Sequence, residues 1–516
     1  MVEAEGLTLL LRCIKGARMR KKRLLYNTVS SLIFQLTTII CGFILPRLIL
    51  NAFGSEVNGL VNSIAQFLGV ISFLELGVGA VVQSALYKPL AEKKQEDVSK
   101  IIASANKFFT RLGQILLVYV IGLVIVYPQF AGKNFGFAYT VTLIVAISIS
   151  SFAQYFFGIV NRLLLTADQR GYIQYNAQTL AVVCNTAACF ILIRVGCSIQ
   201  IVKLTTSIIY LIQPFLVYLY VRCHYNIDKK IKYTKEPIAQ KWNGIAQHVA
   251  AVILDGTDTI VLTLFATLSD VSIYSVYFLV VKGVKQLFMS MTNGITSLLG
   301  ELWAKQEIKE LNKTFSWTEW VIHTGTTFVF GLTAILIVPF VRVYTLGIHD
   351  ANYIQPLFAA LIVAANAGHC LRLPYNIIII VAGHYKQTQN NYIIAAILNI
   401  VVSVVTVKAW GLIGVAIGTL VAMGYQTVWM AVYDSKNLIK WPLRNFVKQI
   451  SVDGLTVLFG FFATRMITMS AATYVEWVIL AVKMSIIWLV IVCVLNMIFY
   501  RDKMIRMISK LCAKMK

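Results

Sequence analysis

Charge is scarce in this sequence: 13 % of its 516 residues are Asp, Glu, Lys or Arg. A soluble globular domain carries about a quarter, so an ordinary water-facing surface cannot be drawn over this chain. Acidic residues are scarcer still, 22 against 46 Lys and Arg, for a formal net charge of +24. The nine cysteines are odd in number and contain no C-x-x-C, which argues against a disulfide framework and a zinc site. They read as small apolar fillers. His248, His323, His369 and His384 show no metal-ligand spacing. A nucleotide-binding loop, a nucleophile elbow and a metal motif are all lacking. The longest loop, 222–242, leaves little room for an extramembrane catalytic domain. We therefore expect no enzyme, no catalytic residue, no metal and no cofactor. Period-two alternation, the mark of a membrane barrel, is absent. Residues 1–23 place acidic before basic residues, the reverse of a secretory signal, and are expected to be a short cytoplasmic amphipathic segment.

What fills the chain instead is apolar sequence: 58 % hydrophobic residues with a mean hydropathy of +0.74. Between Asn27 and Phe499 such runs recur at about 20 residues, long enough to cross a bilayer as helices. We read fourteen, among them 27–50, 57–86, 243–267, 271–299, 353–381, 389–407, 447–466 and 474–499. The expected fold is an all-α polytopic membrane protein. Basic residues gather in alternate loops and at both ends: seven in 1–26, four in 87–105, two in 161–171, six in 222–242 and six after Tyr500. Positive residues stay on the cytoplasmic side, so both termini are expected there. The excess charge then serves topology and anionic lipid headgroups, and nucleic acid is excluded as a partner.

The basic stretch 222–242 falls after the sixth run and reads as a linker. Asn161, Ala167, Gln174, Asn176 and Gly196 each match Asn376, Ala382, Gln389, Asn391 and Gly411 at an offset of 215, while Phe53 matches Phe265 at 212. Two parallel six-helix repeats follow, 27–221 and 243–432. They are flanked by a basic amphipathic segment at 1–26, two additional helices in 433–499 and a basic tail at 500–516. Parallel repeats of this design place substrate between the halves and rock to alternate access.

The segment 45-LPRLILNAFGSEVNGLVNSI-64 and the following 73-FLELGVGAVVQSALYKPLAEKKQEDVSKI-101 resemble bacterial polysaccharide transporters. These are Wzx-type flippases of lipid-linked oligosaccharides, within the multidrug/oligosaccharidyl-lipid/polysaccharide exporter superfamily. The resemblance covers roughly residues 24–500, and its most specific pieces are Glu75–Gly77 and Leu86–Lys93. It implies a V-shaped two-lobed bundle in the bacterial cytoplasmic (inner) membrane. It also implies a polyprenyl-pyrophosphate oligosaccharide as cargo for O-antigen, capsule or exopolysaccharide synthesis, a polysaccharide polymerase as partner, and action as a monomer. Two alternatives from the same superfamily are an ion-coupled multidrug antiporter and a lipid II flippase. Lysines in the eighth run would repel cationic drugs. The arginines on runs 1, 2 and 8 that a lipid II flippase implies reduce here to Arg47, with Glu75 on run 2.

An ionisable group inside a span costs about 2.5–3.5 kcal/mol on insertion scales and is functional by default. Candidates for a cationic headgroup site are Lys282, Lys285, Arg47 and Arg372. With the turn of the seventh and eighth runs centred on Leu268–Ser269, Asp255 and Lys282 stand at equal depth and form a structural ion pair or face the cavity separately. Lys285 is left to hold the pyrophosphate or to snorkel to the cytoplasm. Asp255 and Asp258 flank Gly256 and offer an H⁺ or Na⁺ coupling site, and Glu75 offers a further acid or a packing contact. Asn62, Tyr274 and Tyr277 are candidate sugar contacts.

Overall fold

The computed structural model describes residues 2–131, 134–228, 231, 233, 245–439 and 441–515. Every element among them is helical. The chain divides into two compact units, Met1–Phe53 with Ile64–His248, and Gly54–Ser63 with Val249–Lys516.

Unit 1 takes most of α1 (Val2–Gly69), then α2 (Phe73–Ala91), α3 (Gln95–Phe130), α4 (Phe137–Ala153), α5 (Ile159–Ala167), α6 (Gly171–Arg194), α7 (Ile199–Tyr210) and α8 (Ile212–His224). Glu96 and Asp97 start α3, where carboxylates complement the positive helix end. A π-turn at Gln154–Gly158 separates α4 from α5. Linker residues 229–230, 232 and 234–242, and the side chains of 1–22, lie outside the described residues.

Unit 2 holds α9 (Ile245–Phe265), α10 (Leu268–Ala304), α11 (Ile308–Tyr344), α12 (Pro356–Leu371), α13 (Leu373–Val381), α14 (Tyr385–Trp410), α15 (Leu412–Asn437), α16 (Leu443–Thr464), α17 (Tyr474–Phe499) and α18 (Arg501–Met515). α12 stops at Leu371 because Pro374, at the start of α13, has no N–H to donate back into the preceding turn. Trp488 of α17 is 1 % exposed. Its ring fills the space where a Cβ on Gly331 of α11 or Gly460 of α16 would lie, 2.0 and 2.4 Å away. Two side-chain-free positions thus seat one of the two tryptophans of α17.

Large apolar side chains cover the outside of both units, with Val118 72 %, Phe157 61 %, Val405 70 % and Ile498 66 % exposed. Contiguous apolar surface of this extent does not stay in water; in a bilayer it faces acyl chains. Among the described residues, twelve helices are long and apolar enough to cross a membrane. Fourteen were expected from the sequence. One difference lies in 57–86: the helix interrupted at Gly54 (φ 81°), where the first two runs were expected to part, resumes only to Gly69, and the rest of the run belongs to α2 (Phe73–Ala91). The other lies in 243–267, whose described apolar stretch is the shorter Gly256–Phe265.

The backbone at Gly54 lies in the left-handed region that favours glycine, and the turn it makes delivers Ser55 to unit 2. Ser55 N–H donates to Asp350 Oδ2 (2.6 Å), and its hydroxyl bonds Asp350 Oδ1 and Tyr353 (both 2.7 Å). Asn58 donates to Ser272 (2.8 Å), and Ser63 bonds Thr263 (2.7 Å).

Candidate functional site

The α9–α10 hairpin sets the site's register. Thr267 caps α10: its hydroxyl accepts from Asp270 N–H, and the Asp270 carboxylate accepts from Thr267 N–H. This capping box fixes the turn at Ala266–Thr267, two residues earlier than the sequence reading placed it. A hydrogen bond from Tyr274 to Asp258 (3.0 Å) across the two helices centres the hairpin on Ala266. Tyr277 then stands level with Asp255, and Lys282 lies about five residues, roughly 7 Å, further along. The equal depth expected for Asp255 and Lys282 is corrected by this shift. The side chains of Asp255 and Glu75 lie outside the described residues.

Asp258 is 3 % exposed in a pocket of hydroxyls. Thr419 of α15 lies 2.8 Å from both carboxylate oxygens, and Tyr274 donates to Oδ2. Asn399 of α14 donates to Thr419 (3.1 Å), while its own Oδ1, also buried, has no hydrogen-bond partner among the described residues. Hydroxyls from two helices, α10 and α15, thus meet on the buried carboxylate of α9, with α14 bracing Thr419 behind them. Asn399 and Thr419 were not singled out from the sequence. Asn399 was visible as a single amide in the apolar run 389–407, but nothing local ties it to residue 258.

A second cluster gathers positive charge. Arg372 sits at the break between α12 and α13, 7 % exposed, its guanidinium 2.9 Å from His369 Nδ1. Lys285 of α10 is 6 % exposed, its ammonium 6.0 Å from the Phe278 ring centroid, within electrostatic reach of His369 and Cys370. The structure thus brings Lys285 and Arg372 to one neighbourhood of unit 2. Lys282 is exposed, and Arg47 belongs to α1 of unit 1, half-buried.

The candidate sugar contacts are engaged elsewhere. Tyr277 is fully buried, donates to Tyr353 O (2.8 Å) and accepts from Gln355 N–H (3.1 Å). Tyr274 donates to Asp258, and Asn62 donates to Asn58 O and Ser275. Their polar ends act as struts within unit 2 in this conformation. In unit 1, a cavity of about 1070 Å³ opens between α3, the π-turn and α8, with Asn106, Asn161, Phe157, Phe215 and Arg222 in its wall. Of these the sequence reading named only Asn161, as a repeat match and not as a site residue.

No family model matches the sequence, and no curated protein matches it. Solved structures do. The lipid II flippase MurJ in an inward closed conformation superposes with a TM-score of 0.70 at 14 % identity, over 93 % of this chain and 99 % of that one. An inward-facing multidrug resistance MATE transporter of the MOP superfamily gives 0.58 at 14 % identity, over 79 % and 98 %. A mutant of the Vibrio cholerae MATE transporter VcmN gives 0.57 at 12 % identity, over 81 % and 98 %. The fold is that of these transporters. With its apolar helices, the chain is a multi-pass membrane protein.

Proposed function

We propose that this protein is a flippase that carries a polyprenyl-pyrophosphate-linked oligosaccharide from the inner to the outer leaflet of a bacterial cytoplasmic membrane. The observation that carries the reading is the buried pair of cations, Lys285 and Arg372, gathered about His369. Cationic side chains held inside a membrane protein mark the pathways of its substrates. Arginine offers phosphate a planar fork, and lysine a hydrated point charge that binds without fixed geometry. Together they suit a pyrophosphate that must be held and then released. The site is exposed alternately to the two membrane faces, and the cargo passes to a polysaccharide polymerase.

Coupling is assigned to Asp258, where the carboxylate and the hydroxyls of Thr419 and Tyr274 offer oxygen to a visiting H⁺ or Na⁺. Carboxylate and carbonyl oxygens suit hard cations. The parallel-repeat reading draws support from helix breaks: the π-turn at 154–158 and the break at Arg372 correspond at the 215-residue offset. Superposition on a flippase over 93 % of the chain, against about 80 % for the multidrug transporters, favours a flippase. A lipid II cargo is the second reading, on the same coverage.

The test is cargo selectivity in vesicles of purified protein. A fluorescent polyprenyl-pyrophosphate disaccharide should reach the outer leaflet, while ethidium, a cationic drug, should not move. Ethidium transport with a stationary lipid would overturn the proposal in favour of a multidrug antiporter.

A further inference from the structure

The two helices beyond the repeats bring a carboxylate into the interior of unit 2. Asp453 of α16 is 7 % exposed and lies 2.7 Å from Nδ1 of His323 on α11, a histidine with no exposure at all. Its other oxygen accepts from Gln449 (3.2 Å). Glu319, 3 % exposed, stands one turn before His323 on α11. It accepts from Tyr375 of α13 (2.6 Å) and from the indole of Trp441 (3.1 Å). Asp434 of α15 lies within electrostatic reach of Tyr375, as does Asp453. Lys503 of α18 acts on Glu319, Tyr500 feels both acids, and Lys448 adds charge to Lys503.

Hydrogen-bond accounting fixes the histidine's tautomer. An ionised Asp453 carboxylate can only accept, so its 2.7 Å contact places a hydrogen on His323 Nδ1. His323 Nε2 is buried without a hydrogen-bond partner among the described residues. A hydrogen there would be a buried, unsatisfied donor, which costs about 1–3 kcal/mol. That leaves on Nε2 a lone pair that no donor meets among the described residues. A proton added there makes an imidazolium beside one carboxylate and one turn from another. Structural glue alone would be supplied as well by apolar residues of similar volume.

We propose that Glu319, His323 and Asp453 form a proton-binding site within unit 2, with His323 Nε2 as the atom that takes the proton. One proton arrives and one imidazole becomes imidazolium; nothing else is consumed. The site shares no residue with Asp258, and it makes α16 a working part of the molecule. It stands whether or not the chain moves a lipid, because its test needs no cargo.

The test follows the ring nitrogens of ¹⁵N-histidine protein in lipid nanodiscs from about pH 5 to about pH 8.5. Of the six histidines, His323 is identified by the signal lost in His323→Gln. It should pass from the Nδ1–H tautomer to imidazolium on acidification, and Asp453→Asn should displace the midpoint by about one unit. Should Asp453→Asn fail to fold, Glu319→Gln keeps its acceptor oxygen and should displace the midpoint in the same sense. A His323 signal fixed in one state throughout, or a midpoint indifferent to both variants, would overturn the proposal.

Discussion

Lys503 shows how one side chain reports on its surroundings. Its ammonium donates to Ser316 O (2.7 Å) and stands 5.3 Å from the Tyr500 ring centroid. Burial pushes it down to about 8; Glu319 opposes that shift and Lys448 adds to it. In the unfolded chain a lysine holds its proton to about pH 10.4. Between those values the unfolded state binds more protons, so folding stability rises with pH. Below about pH 8 the cost of the buried charge is present in full. We expect the wild-type melting temperature to climb between about pH 8 and about pH 10.4 relative to that of Lys503→Met, measured in the same detergent. Parallel curves for the two proteins would contradict this. At the residue scale the sequence was legible wherever a charge interrupted an apolar run: Lys285, Arg372 and Asp258 were all named from it. Their pairings were not. Thr419 lies 161 positions from Asp258, and Asp453 lies 130 from His323. Contacts that distant are made by packing, which no local spacing encodes.

Elements were legible as runs and misread at their ends. The hairpin turn was placed at 268–269 by centring the gap between two apolar stretches, yet 267-TLSD-270 already spells a capping box, in which Thr267 and Asp270 satisfy each other's backbone N–H. Turn chemistry overrides symmetry of hydropathy, and two residues of error moved the expected ion pair out of level. The first two runs part where Asn51, Ser55 and Glu56 suggested, at Gly54 in the left-handed region, whereas the second run was misread further on, where Val70–Ser72 divides it before α2. Where α11, α16 and α17 meet, the limiting quantity is volume. A methyl group on Gly331 would lie 2.0 Å from the Trp488 ring. Gly331→Ala should therefore cost about 1–3 kcal/mol through overpacking, seen as a lower melting temperature. Trp488→Leu in the same chain should recover part of the loss. A melting temperature unchanged by Gly331→Ala would mean that α17 is not held by this contact.

For the whole molecule, composition and hydropathy were enough to establish a helical membrane protein, and basic loops gave an expected topology. They did not separate a flippase from a drug antiporter, because both share the fold. The difference rests on the sign of the buried charge. In the proposed function, the local pairing of Lys285 with Arg372 is what selects a pyrophosphate over a cationic drug. The most direct measurement is leaflet transfer of a fluorescent polyprenyl-pyrophosphate disaccharide by Lys285→Ala and Lys285→Arg in reconstituted vesicles at matched protein levels. The account predicts at least a tenfold loss for alanine, about 1.4 kcal/mol of binding, with arginine retaining much of the rate. Equal transfer by wild type and Lys285→Ala would contradict it.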